Sequence, residues 1–84
     1  MAYQIDRFDN SLLAVVEDGT LDQTTNLKLI GKNYAGYGEI QNENFLFLLE
    51  NFAGGNPPTR AIRGQVWYDT TQNKLKYFVT IKWL

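Results

Sequence analysis

Short alternating runs open the chain. Tyr3 to Asp6 and Leu12 to Glu17 are rich in β-branched and aromatic residues, and the intervening Arg7-Phe8-Asp9-Asn10-Ser11 supplies turn formers, so the pattern predicts a first hairpin. Glu17-Asp18-Gly19-Thr20 reads as a second turn, Asp22-Gln23-Thr24-Thr25-Asn26 as a polar, turn-like stretch, and Leu27-Lys28-Leu29-Ile30 as a brief strand that stops at Gly31. From about Tyr37 to Ala53 the period changes. Ile40, Phe45, Phe47, Leu48, Leu49 and Phe52 recur at helical spacing, with Glu39, Glu43 and Glu50 gathered on one side. Such a helix is apolar over most of its circumference and should be largely buried, and neighbouring subunits would supply cover that a short chain lacks. Gly54-Gly55-Asn56-Pro57-Pro58 is expected to end it. Gln65 to Asp69 and Lys74 to Trp83 then frame Thr70-Thr71-Gln72-Asn73 as a last hairpin. In its second strand Leu75, Tyr77, Val79, Ile81 and Trp83 would share one face, and Lys74, Lys76 and Lys82 the other.

This order predicts an α+β fold in which one central helix packs against antiparallel β-hairpins. The 84 residues suffice for a single small domain, residues 1–84, and are too few for two cores. Small domains without disulfides often lean on association for stability, and this chain has no cysteine. Histidine is absent too, which removes the commonest metal ligand and the side chain best suited to proton transfer near neutral pH. No catalytic, cofactor-binding or metal-binding residue is therefore expected, and no cofactor. Nine acidic and eight basic residues give a net charge of −1, which offers no global field for nucleic acid or an anionic membrane. No secretory signal or membrane span is visible, so a cytosolic setting is expected.

The glycines before the helix pose the sharpest chemical question. Gly31-Lys32-Asn33-Tyr34-Ala35-Gly36 has the spacing of a phosphate loop, but Tyr37 and Gly38 stand where Lys and Ser/Thr are needed. The segment is expected to be a strand-to-helix turn in which glycine permits positive φ and close backbone approach. Glu17, Asp18 and Asp22 lack the spacing of a calcium hand and read as an acidic turn. The amides of Gln41, Asn42, Asn44 and Asn51 are unusual in a helix. They either satisfy backbone groups of adjoining loops or bond across a symmetric interface and fix its register. Of Trp67 and Tyr68, on opposite faces of one strand, one should be core and the other at an interface.

Several blocks of the sequence resemble a module of virion structural proteins. These are Leu29-Ile30-Gly31-Lys32-Asn33-Tyr34, Gly36-Tyr37-Gly38-Glu39, Asn42-Glu43-Asn44-Phe45, Leu49-Glu50-Asn51-Phe52 and Gly64-Gln65-Val66-Trp67-Tyr68-Asp69-Thr70, in matching order between Gly19 and Phe78. Together they are similar to units of tail-fibre-like and baseplate-associated proteins of T4-like phages that infect cyanobacteria. The resemblance implies a phage-encoded, non-enzymatic structural or assembly module that acts through protein–protein contacts, in a virion or in the host cytoplasm. In that family the module leads on into a Tyr-Asp-Gly turn and further domains. Here Lys76-Tyr77 is followed by Phe78-Val79-Thr80-Ile81-Lys82-Trp83-Leu84. The alternative expectation is accordingly a free small phage protein that binds a host protein during infection. The expected partners are further copies of the chain, other phage structural proteins or a host protein. Self-association is expected through the helix or the terminal strand, with Tyr37, Asn44, Phe47 and Asn51 as interface residues and Trp67, Tyr77 and Trp83 in support.

Overall fold

The computed structural model describes residues 1–84. Its fold is α+β, with one helix and three antiparallel two-stranded sheets. Strands β1 (Tyr3–Asp6) and β2 (Leu12–Val16) form the first sheet, β3 (Leu21–Asp22) and β4 (Leu29–Ile30) the second. After helix α1 (Tyr37–Leu49) come β5 (Val66–Asp69) and β6 (Lys74–Tyr77), which form the third.

The first hairpin follows the sequence pattern, with Tyr3 opposite Val16 and Ile5 opposite Ala14, and a register shift between Ile5 and Asp6. Its turn is tied at several points. The Arg7 amide donates to the Ser11 carbonyl at 2.7 Å, and the Asn10 amide to the Arg7 carbonyl at 2.9 Å. Asn10 takes a φ of 73°, which asparagine tolerates better than most residues. The Asp9 carboxylate closes the turn by accepting from the Ser11 hydroxyl at 2.6 Å and the Ser11 amide at 3.0 Å. These bonds hold the Asp9 carboxyl below its ordinary pKa, the hydroxyl contributing most.

The second sheet is shorter than expected on one side and unexpected on the other. Only Leu29–Ile30 of the anticipated Leu27–Ile30 strand is paired, and its partner is the dipeptide Leu21-Asp22, too brief to show alternation. Gly31 is buried, and its amide donates to the Thr20 carbonyl at 2.8 Å. A Cβ added there would lie 2.1 Å from the Glu17 carbonyl oxygen and 2.9 Å from that of Thr20. Backbone approaches backbone so closely that only glycine fits.

Helix α1 begins after Gly36, whose φ of 80° bends the chain out of the loop, so the strand-to-helix turn read from the glycines is found. Its end corrects the sequence reading. The helix stops at Leu49, before the Gly-Gly-Asn-Pro-Pro stretch, because Asn51 takes a φ of 54° directly after the capping residue Glu50. The Asn51 amide then donates to the Leu48 carbonyl at 3.1 Å and the Phe52 amide to the Phe47 carbonyl at 2.9 Å. This is a Schellman motif with asparagine in the place glycine usually holds. Phe52 is also left-handed, at φ 53°, because the chain at once joins the outer edge of β5. Tyr68 donates its amide to the Asn51 carbonyl at 2.9 Å, and Gly54 donates to Tyr68 at 3.2 Å.

The expectation of a largely buried helix is also corrected: no residue of α1 is buried, and only Ile40 and Asn44 are even half-covered. The apolar side chains of the true core are few, Val16 in the first sheet and Trp67 in the third.

A single strand from Lys74 to Trp83 is not formed either. Strand β6 ends at Tyr77 and the chain reverses on itself, with Phe78 bridged to Trp83 and the Val79 amide donating to the Lys82 carbonyl at 3.0 Å. Tyr77 and Leu84 exchange two backbone hydrogen bonds, each 2.9 Å. The reversal covers part of the outer edge of β6 and brings Trp83 onto Trp67, with ring centroids 5.4 Å apart at 66°.

Candidate interaction surfaces

Side chains turn by about 100° per residue along an α-helix. Phe45, Leu46 and Leu49 therefore fall on the side of α1 away from the half-covered Asn44. They are exposed to 58 %, 51 % and 78 %, values that belong to a surface and not to a core. Glu39, Glu43 and Glu50 run as an acidic ridge beside Leu46, and the helix carries no basic residue in its last turn. An apolar patch edged by one sign of charge is thus open on the C-terminal half of the longest element of the fold.

The opposite side of α1 is where the helix is anchored. The Asn44 side chain accepts from the Lys28 amide at 3.1 Å and donates to the Lys28 carbonyl at 2.8 Å, imitating a strand partner. Of the two uses open to the helix amides, Asn44 serves the first, tying a loop to the helix. Asn51 serves the helix end through its backbone conformation. Asparagine is the usual substitute for glycine at this position.

The other expected interface residues separate by exposure. Tyr37 and Tyr77 are exposed, Phe47 lies at the border of exposure, and Trp83 is half-buried against Trp67 and Phe78. Trp67 is only 4 % exposed, so its expected place at an interface is corrected: it is the core member of the Trp67-Tyr68 pair. Its indole N–H donates to the Gly54 carbonyl at 3.2 Å. The anticipated lysine stripe is broken as well. Lys76 lies 5.3 Å from the Trp67 ring centre and 2.9 Å from Asp69 Oδ2.

Asp69 is the one buried acid. Besides Lys76 it accepts the amides of Thr71 at 2.9 Å and Gln72 at 3.3 Å, so it organises the whole β5–β6 turn. The Lys76 ammonium, more than the turn amides, holds its carboxyl below the ordinary range. A depressed carboxylate stabilises the fold above its unfolded pKa, and this contribution is lost as pH falls through the folded value. Thermal melts from pH 7 down to pH 2 should accordingly show stability declining below about pH 4. Asp69→Asn should lower the neutral-pH melting temperature and flatten that acid limb. An acid limb unchanged by the substitution would assign the decline to other carboxylates.

In the glycine segment two amides are engaged within the chain, and in the acidic turn two carboxylates are. The Gly31 amide is engaged by Thr20 and the Tyr34 amide by the Gly31 carbonyl at 3.4 Å, so these donors do not converge on an anion. Asp18 pairs with the N-terminal ammonium and Asp22 accepts the Thr24 amide. No group of three or more acidic side chains lies close enough to hold a metal ion.

Three concavities are formed, the largest, about 850 Å³, between the glycine segment and α1, and another at the far end of the helix. A cavity of about 390 Å³ opens between the Thr25–Leu27 loop, the C-terminal end of α1 and the Ile62–Val66 segment. Leu27, Leu48, Phe52, Ile62 and Val66 line it. Its walls are pinned across the chain by Arg60 donating to the Gln23 carbonyl at 2.8 Å and by the Gln65–Asn26 side-chain bond at 3.2 Å. Compared with known proteins, the chain matches no family model, no curated protein and no solved structure.

Proposed function

We propose that the chain is a phage-encoded structural or assembly module of the tail-fibre or baseplate type, non-enzymatic, which acts through protein–protein contacts and self-associates. The observation that carries the contact reading is that α1 has no buried residue while presenting Phe45, Leu46 and Leu49. Overall dimensions support it. The radius of gyration is 14.0 Å, against about 12 Å for a compact chain of this length. The accessible surface is 6057 Å² where roughly 5,100 Å² is ordinary for a folded monomer of 9.7 kDa. The excess, roughly 900 Å², is the size of one side of a standard protein interface. The phage assignment rests on the blocks between Leu29 and Thr70 that resemble virion modules.

Mass spectrometry of purified phage particles tests the structural role, which fails if the chain is abundant in infected cells and missing from virions. Light scattering tests the contact surface. Phe45→Lys with Leu49→Lys should lower the mass of the associated species with little change in melting temperature, since both side chains are exposed. Association unaffected by the pair would remove α1 as the contact.

A further inference from the structure

Phe8 is the most exposed large apolar residue of the chain, at 106 %, on the tip of the β1–β2 turn. It is also firmly presented. The turn beneath it is closed by the Arg7–Ser11 and Asn10–Arg7 backbone bonds and by Asp9 accepting twice from Ser11. Turn backbone that is already ordered does not have to be ordered again when the side chain docks, which lowers the entropy cost. The apolar cavity beside the end of α1 offers a matching hole. A cavity of ~150 Å³ already holds a benzene ring, and this one has about 390 Å³.

The charges match as well. Asp6 and Asp9 are exposed on either side of the Arg7-Phe8 pair and leave the tip with a net negative charge, while Arg63, a member of the cavity wall, is exposed and has no carboxylate partner within the chain. Complementary charges around an apolar anchor set the orientation of docking. Phe8 is left uncovered by its own chain, so whatever covers it is supplied by another.

We infer that the Phe8 tip of one copy inserts into the cavity lined by Leu27, Leu48, Phe52, Ile62 and Val66 of a second copy, with Asp9 or Asp6 meeting Arg63. The inference rests on the reading of the chain as a self-associating contact module and adds a second contact, separate from the outer face of α1. It is heterologous, knob to hole. Repetition of such a contact gives a closed ring or an open filament, according to whether its rotation closes.

The decisive test is a mixing experiment by analytical ultracentrifugation with full-length chains, all carrying Phe45→Lys and Leu49→Lys so that α1 is silent. This parent should still associate. Adding Phe8→Ala removes the knob, and adding Leu48→Trp fills the hole; each should weaken association roughly thirtyfold or more, the mark of a hot-spot side chain. Mixed, the two should form 1:1 heterodimers, because each supplies the half the other lacks. Heterodimer formation also certifies that both variants are folded. Arg63→Glu, an exposed change, replaces Leu48→Trp if the latter has lost its thermal transition. A parent that is monomeric, a Phe8→Ala variant that associates like the parent, or a mixture of folded variants that stays monomeric would each overturn the proposal. Loss of the virion role in particle mass spectrometry leaves this outcome untouched, so the two readings fail separately.

Discussion

Gly31→Ala is expected to abolish the cooperative thermal transition that circular dichroism should record for the parent chain. The added methyl would stand 2.1 Å from the Glu17 carbonyl oxygen, far inside contact distance. That oxygen cannot retreat freely, because it accepts the Thr20 amide at 3.2 Å and the Thr20 hydroxyl at 2.7 Å. Relief requires the β2–β3 turn to part from β4, which breaks the Gly31–Thr20 bond and the 2.7 Å bond from the Gly19 amide to the Lys32 carbonyl. Side-chain overpacking typically costs ~1–3 kcal/mol because flexible neighbours yield. Here the obstacle is backbone on one side and backbone on the other, so the cost exceeds that range. A parent-like melt for Gly31→Ala would show that the two segments can separate without loss of the fold.

Trp67→Ala should be nearly as damaging, by a different route. Trp67 contributes most of the apolar volume of the small core, packs edge-on against Trp83 and carries Lys76 above its ring. Truncating a buried tryptophan costs about 3–5 kcal/mol, comparable to the ~3–5 kcal/mol that a core of this size supplies in total. The expected result is a chain without near-ultraviolet dichroism at 25 °C. Trp67→Phe separates packing from bonding. It keeps most of the ring, loses the indole donor to Gly54 and should shift the melting temperature without removing the transition. Equal damage from the two substitutions would place the importance of Trp67 in its hydrogen bond.

Much of the secondary structure was legible in local pattern. Strands β1 and β2 were visible because alternation and turn formers coincide at Arg7 to Ser11, and the start of α1 because Gly36 precedes a change of period. Three features were not. The helix end lies at Asn51 because β5 accepts the departing chain through Tyr68, a tertiary cause that outranks the glycines and prolines further on. The reversal after Tyr77 turns on Thr80 and Ile81, which carry no turn signal, so alternation alone prolonged the strand. The exposure of α1 is hidden because apolar content along a helix predicts burial. A helix apolar on most sides has no single face to turn inward, and only 13 residues of helix and three small sheets are present to cover one another.

The candidate site was legible in residue type and mostly not in position. Phe8 looked like part of a turn, and nothing local distinguishes a turn phenylalanine that folds back from one that projects. The cavity is assembled from segments as distant as Leu27, Leu48 and Val66, and its residues have no common spacing. Asn44 stands out by its poor helix propensity, and that signal points to a real constraint, the clasp on Lys28.

The three ladders also bear on how the chain reaches its fold. Each sheet joins neighbours in sequence across a loop of a few residues, so its closure entropy is small. The Asn44–Lys28, Gln65–Asn26 and Arg60–Gln23 bonds are different, since they join segments 16 to 39 residues apart. The Asn44–Lys28 clasp can form once α1 has emerged, while completion of the cavity waits for Val66. A nascent chain therefore bears its knob well before it has a hole to receive one.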